Sequence, residues 1–200
     1  DTVKHLEFLH KTLADCQSHP RLKEVQSLAQ DIFAQCTPPA FLHPKRVVHG
    51  DPKLNNIVFA ANQTARCLVD LDTFNRMPLL LELGDAFRSW CCLGAEDDLG
   101  ATFSVELFDA SLSGYCESVA GWLPKRELLD LPKAIETIAL ELAARFGADA
   151  LRESYFAWDA KLFSTASEHN LQRAQAQYKL AVSVQKQRAV LQEILERQKL

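Results

Sequence analysis

The sequence predicts a mainly α protein with one small β patch, an α+β arrangement. Three observations predict it. Apolar residues recur at spacings of three and four over most of the 200 residues, the mark of amphipathic helices. Only residues 46–71 break that period, with short β-branched and apolar runs between turn residues. The composition, 48% hydrophobic and 24% charged with seven glycines and eight prolines, is that of a chain that builds a core rather than a linker.

Taken in order, Val3, Leu6, Leu9, Leu13 and Cys16 form one face of a first helix. Leu22, Val25, Leu28, Ile32, Phe33 and Cys36 form the stripe of a second, which Thr37-Pro38-Pro39 stops because proline cannot continue helix hydrogen bonding. Arg46–His49, Ile57–Phe59 and Cys67–Leu71 read as three strands, with a turn at Ala61–Thr64. Gly84-Asp85 opens a helix through Ala86, Phe87, Trp90 and Leu93, with Asp85 as its cap. A loop holding Glu96, Asp97 and Asp98 follows. Residues 103–120, 132–150 and 166–198 are again helical, and Thr165-x-x-Glu168 fits a capping box before the last. The chain reads as one domain over 1–200: a catalytic loop at 47–60, a second acidic segment at 66–73 and a helical body at 85–200.

Composition also excludes classes. A net charge of −4 does not favour nucleic-acid binding, whose domains are usually basic. No apolar run reaches the length of a membrane span. Six cysteines lie without a C-x-x-C pair, so zinc-ribbon spacing is missing. They read as reduced, small core residues of a cytoplasmic protein. The chain opens on Asp1 rather than Met, which reads as a piece of something longer.

The chemistry is concentrated in His49-Gly50-Asp51-Pro52-Lys53-Leu54-Asn55-Asn56 and Asp70-Leu71-Asp72. A loop between strands holds a carboxylate (Asp51), an amine two residues on (Lys53) and an amide five residues on (Asn56). A second carboxylate, Asp70, ends the next strand. Phosphoryl transfer needs these groups: an acceptor for the hydroxyl proton, hard oxygen ligands for Mg²⁺ and a cation against developing charge. Asp51 suits the first role, Asn56 and Asp70 the second, Lys53 the third. The spacing is that of the kinase catalytic loop H-R-D-L-x-x-x-N, with Gly50 in the Arg place.

HGDPKLNNIVF, CLVDLDTF and LELGDAFR together resemble the aminoglycoside phosphotransferase and choline kinase superfamily, and within it the N-acetylhexosamine 1-kinase-like sugar kinases. EHNLQRAQAQYKL is similar to their final helix. The resemblance implies the carboxy-terminal lobe of a protein-kinase-like fold. It implies Asp51 as catalytic base, Asn56 and Asp70 as magnesium ligands and His49 as the residue orienting the loop. It implies Asp72 as a nearby or second-metal carboxylate and Asp85 as a brace accepting the loop's backbone hydrogen bonds. It places Arg145 and Tyr155 near positions that face the sugar. The phosphoryl donor it implies is ATP, and the acceptor a small-molecule hydroxyl.

No glycine precedes Gly50, and no G-x-x-x-x-G-K motif occurs, so neither a kinase phosphate-covering loop nor a P-loop is present in residues 1–200. The expectation is a lobe without its amino-terminal partner, with negligible activity alone. A non-catalytic sugar- or partner-binding module is the rival reading. An aminoglycoside, choline or homoserine kinase lobe is the other.

Overall fold

A computed structural model describes residues 1–37 and 44–198. It is mainly helical with three two-stranded sheets, of which β1–β4 and β2–β3 are antiparallel, as the apolar periodicity predicts. The helices are α1 (Thr2–Asp15), α2 (Leu22–Gln35), α3 (Leu79–Trp90), α4 (Val105–Val119), α5 (Leu131–Arg152) and α6 (Ala166–Arg197). The strands are β1 (Lys45–Val48), β2 (Ile57–Phe59), β3 (Ala65–Leu68), β4 (Asn75–Pro78), β5 (Cys92–Leu93) and β6 (Thr102–Phe103). The chain divides into two compact units.

The first unit comprises residues 1–39, 93–102 and 137–183. Its core joins Leu9 of α1, Val25 and Ile32 of α2, Leu140 and Phe146 of α5 and Ala174 of α6. Ala139, Ala143, Ala144 and Ala148 on α5 are fully buried. Such small residues let helices approach closely, so this core is built from many short contacts and a few aromatic ones. Asp1 caps α1 through the amide of Lys4. The proline stop after α2 lies at residues 38–39, outside the described residues. At the start of α6, Thr165 Oγ1 accepts from the Glu168 amide at 3.0 Å, as a capping box requires. The return bond goes from the Ser164 amide to Glu168 Oε2, one residue before the usual place.

The second unit comprises residues 40–92, 103–136 and 184–200. Strands β1 and β4 pair with Val48 opposite Asn75 and Lys45 opposite Pro78. Strands β2 and β3 form a hairpin with Ile57 opposite Leu68. Helix α4 meets α3 through Phe108 and Phe87, both fully buried, with ring centroids 5.4 Å apart. Ser104 caps α4 through the Leu107 amide.

Three expectations need correction here. Helix α3 begins at Leu79, not at Asp85, and ends at Trp90. Asp85 therefore lies inside it and caps nothing. Gly84 also lies inside the helix rather than at its start: a Cβ there would stand 2.9 Å from the Ala134 carbonyl oxygen, so the glycine is what lets α3 lie against the start of α5. The strand expected at 67–71 ends at Leu68, because Asp70 takes the left-handed conformation, φ +65°, and starts a single 3₁₀ turn at Leu71–Thr73. Strand β4 was not legible, since Asn75-Arg76-Met77-Pro78 carries neither β-branched residues nor alternation. The cysteines were expected in the core, but only Cys36, Cys91 and Cys116 are buried; Cys67 is exposed on β3.

Candidate functional site

The expected catalytic loop leaves β1 at His49 and closes at the 3₁₀ turn Leu54–Asn56. Most polar groups of its backbone have a partner. The amides of His49 and Gly50 donate to Glu82 Oε1 and Oε2, each at 2.9 Å. The Asp51 amide donates to His49 Nδ1 at 3.3 Å. Thr73 Oγ1 donates to the His49 carbonyl at 2.8 Å. The indole of Trp90 donates to the Pro52 carbonyl at 2.8 Å. The Leu54 amide reaches Ser89 Oγ at 3.4 Å.

Three of those partners, Glu82, Ser89 and Trp90, lie seven and eight residues apart on α3, hence on one helix face. The loop is thus docked along a single helix. Glu82, almost one turn before Asp85, accepts the two amides at the start of the loop. Asp85 instead accepts from Arg88 Nε and Nη2, at 3.0 and 2.8 Å. Burial pushes the Glu82 carboxyl above its ordinary value, and the two loop amides partly offset this.

Gly50 stands where no other residue fits. Its φ is +87°, and a Cβ would run into the Thr73 carbonyl oxygen. Arginine, the usual occupant of this place in the H-R-D pattern, would clash with backbone.

His49 is buried and works through both ring nitrogens. Nδ1 accepts the Asp51 amide, so it carries no proton. Nε2 then carries one and donates to the Val69 carbonyl at 2.9 Å. The Val69 amide donates to the Asn56 carbonyl at 2.9 Å. One imidazole and one peptide bond thus tie the Asp51 loop to the residue preceding Asp70.

Within the loop, Lys53 Nζ lies 2.6 Å from Asp51 Oδ2. Asn56 Nδ2 donates to the Asp51 carbonyl at 2.8 Å and to the same Oδ2 at 3.1 Å. Two donors therefore hold Oδ2, and Oδ1 makes no hydrogen bond to the described residues. Asn56 is buried, and spending its side-chain Nδ2 on Asp51 leaves its side-chain Oδ1 for another partner. Asp70 and Asp72 are exposed, and neither carboxylate makes a hydrogen bond or ion pair with the described residues. Among those residues no three His, Cys, Asp or Glu side chains gather as ligands. The donors in question are instead one amide oxygen and the carboxylate of Asp70, which are hard oxygens of the kind Mg²⁺ takes. A non-glycine residue held at φ +65° is strained backbone of the sort that collects at functional positions.

Arg145 and Tyr155 belong to the first unit. The Arg145 guanidinium lies 5.4 Å from the Phe156 ring centre, and Tyr155 is 73% exposed. What fixes this segment is Asp149. Its buried carboxylate accepts from the amides of Ser154, Tyr155 and Phe156 and from Asn170 Nδ2, at 2.9–3.0 Å.

Sequence reasoning missed Glu82, Ser89, Trp90 and Asp149. A single carboxylate in the leucine run Leu79-Leu80-Leu81-Glu82-Leu83 was the available signal for the first. A half-buried carboxylate in an apolar helix needs donors.

A small β patch presenting a docked His-Gly-Asp-x-Lys-x-x-Asn loop inside a mainly helical chain is the frame of a kinase-type phosphotransferase. The sequence matches the phosphotransferase enzyme family (APH) over residues 1–128. The chain belongs to that family, and with it to the aminoglycoside phosphotransferase and choline kinase superfamily. No helix of the described residues is long and apolar enough to cross a membrane.

Proposed function

We propose that this chain is the catalytic lobe of an ATP- and Mg²⁺-dependent kinase of the cytoplasm, acting on a small-molecule hydroxyl, with an N-acetylhexosamine or related sugar as acceptor. The observation that carries the reading is the Asp51 carboxylate, with Oδ2 held by Lys53 and Asn56 and Oδ1 open. An acceptor hydroxyl gives its proton to Oδ1. Its oxygen forms a bond to the γ-phosphorus of ATP as the bond from that phosphorus to the ADP oxygen breaks. Lys53 is the cation placed to offset charge on the transferred group. It must leave Oδ2 to do so, and Asn56 then remains as the donor that holds Asp51. Asn56 Oδ1 and the Asp70 carboxylate would hold Mg²⁺, with Asp72 beside them; when bound, the ion neutralises phosphate charge. The sugar preference rests on the similarity of LVDLDTF and of EHNLQRAQAQYKL to sugar kinases.

Residues 1–49 contain no glycine and so no glycine-rich phosphate cover, which makes the full-length polypeptide the right object for turnover assays. Phosphoryl transfer from MgATP should be measured across N-acetylhexosamines, aminoglycosides, choline and homoserine. The proposal predicts the highest kcat/KM for an N-acetylhexosamine. Preference for choline or an aminoglycoside would overturn the sugar assignment. Mn²⁺ binding followed by electron paramagnetic resonance should weaken at least 10-fold in Asn56→Ala and Asp70→Asn; unchanged affinity in both would remove them as ligands.

A further inference from the structure

We propose that Trp90 is a positioning residue for the Asp51–Lys53 pair, acting through its indole N–H on the Pro52 carbonyl. The inference rests on the phosphotransfer reading for its consequence and on geometry for its content. Asp51 and Lys53 are two residues apart, and their side chains meet at 2.6 Å across Pro52. Their mutual placement is therefore set by how the Pro52 peptide unit is turned. Proline fixes its own φ and has no N–H to anchor. Pro52 is buried, and its carbonyl accepts a 2.8 Å hydrogen bond from Trp90 Nε1.

Trp90 can exert that hold because it is locked from behind. Its ring lies 5.6 Å from Phe87, which in turn meets Phe108. Both phenylalanines are fully buried. The line Phe108–Phe87–Trp90–Pro52 runs from the packed interior to the peptide between the two charged groups. Glu82 fixes the start of the loop at His49 and Gly50, and Ser89 approaches Leu54 beyond Lys53. Trp90 holds the interval between them, where the proton acceptor and the cation sit.

The direct test is Trp90→Phe, which keeps an aromatic ring and removes the N–H. Acylation of individual lysines by an amine-reactive ester, read by mass spectrometry, should show Lys53 labelling at least 5-fold faster in the variant. Lys4 and Lys161, both exposed, should be unchanged. In the full-length polypeptide kcat should fall about 10-fold while the KM for ATP stays within 2-fold. Lys53 labelling unchanged in a folded variant would overturn the proposal. Should the variant not fold, the wild-type protein still decides. Hydrogen exchange of the Trp90 indole proton should be at least 100-fold slower than that of Trp122, which is 54% exposed; equal rates would overturn it. Labelling and exchange read geometry alone, so they stand apart from the phosphotransfer reading, which fails instead if Asp51→Asn keeps its turnover.

Discussion

One residue of the loop, Gly50, and one that holds it, Glu82, carry predictions of their own. Gly50→Ala forces a side chain into a positive φ and against the Thr73 backbone. Each such strain costs about 1–3 kcal/mol, and at this size each kcal/mol lowers Tm by about 2–4 °C. Thermal unfolding checks it, and an unchanged Tm would remove the glycine argument. Glu82 gives a pH dependence. Its carboxyl is raised mainly by burial, so the folded state takes up a proton more readily than the unfolded one. Global stability then falls as pH rises from the ordinary carboxylate range through the raised value. The brace behaves in the opposite sense, because both oxygens accept amide bonds only when the group is charged. Turnover should therefore rise with pH across that same window. Glu82→Gln, which turns an NH₂ toward one of the amides, should lower kcat about 10-fold and abolish this acidic limb, since hydrogen bonds to charged groups are worth about 1.5–3 kcal/mol. A pH–rate profile unchanged in the variant would contradict the assignment.

The elements show what the sequence could and could not reveal. Helices α1 and α2 were legible because their apolar spacing is regular and one face packs on a core. The Asp51 loop was legible because its chemistry is local: four residue types at fixed offsets. The start of α3 was misplaced because Gly84 looks like a boundary when read by propensity, whereas it serves a close helix contact. Gly84→Ala should cost about 1–3 kcal/mol, since the obstructing atoms are Ala134 backbone and cannot rotate away. Denaturant unfolding checks this; a neutral outcome would mean α3 and α5 can separate. Glu82 was overlooked beside Asp85 for a related reason. Two carboxylates stand three residues apart on α3, and which one faces the loop depends on helix phase, which the true start at Leu79 sets. Asp149 was hidden because its partners are backbone amides, which leave no trace in side-chain pattern. Asp149→Ala should accelerate hydrogen exchange at Ser154, Tyr155 and Phe156 and cost about 3 kcal/mol, the upper range for bonds to a buried charge. Unaltered protection at those amides would contradict its role.

Across the molecule, the family match covers residues 1–128, which includes every residue of the Asp51 loop and of α3. The later helices were read as helical from periodicity, with a capping box before the last, and proved so. The thiols give a check on the whole fold. Burial pushes the Cys91 thiol up to about 12 and raises that of Cys116, which removes the reactive thiolate. A thiol reagent under native conditions should label Cys67 first and spare Cys36, Cys91 and Cys116 until unfolding. Early labelling of Cys91 would contradict the packing described for it.

The central claim is that Asp51 takes the acceptor proton in a phosphoryl transfer. The most direct measurement is γ-phosphoryl transfer from MgATP by the full-length polypeptide, wild type against Asp51→Asn, with ATP affinity measured on both. General-base loss predicts a kcat lower by about 10²–10⁴-fold with ATP affinity within a few-fold. A variant whose kcat stays within 2-fold of wild type would contradict the account.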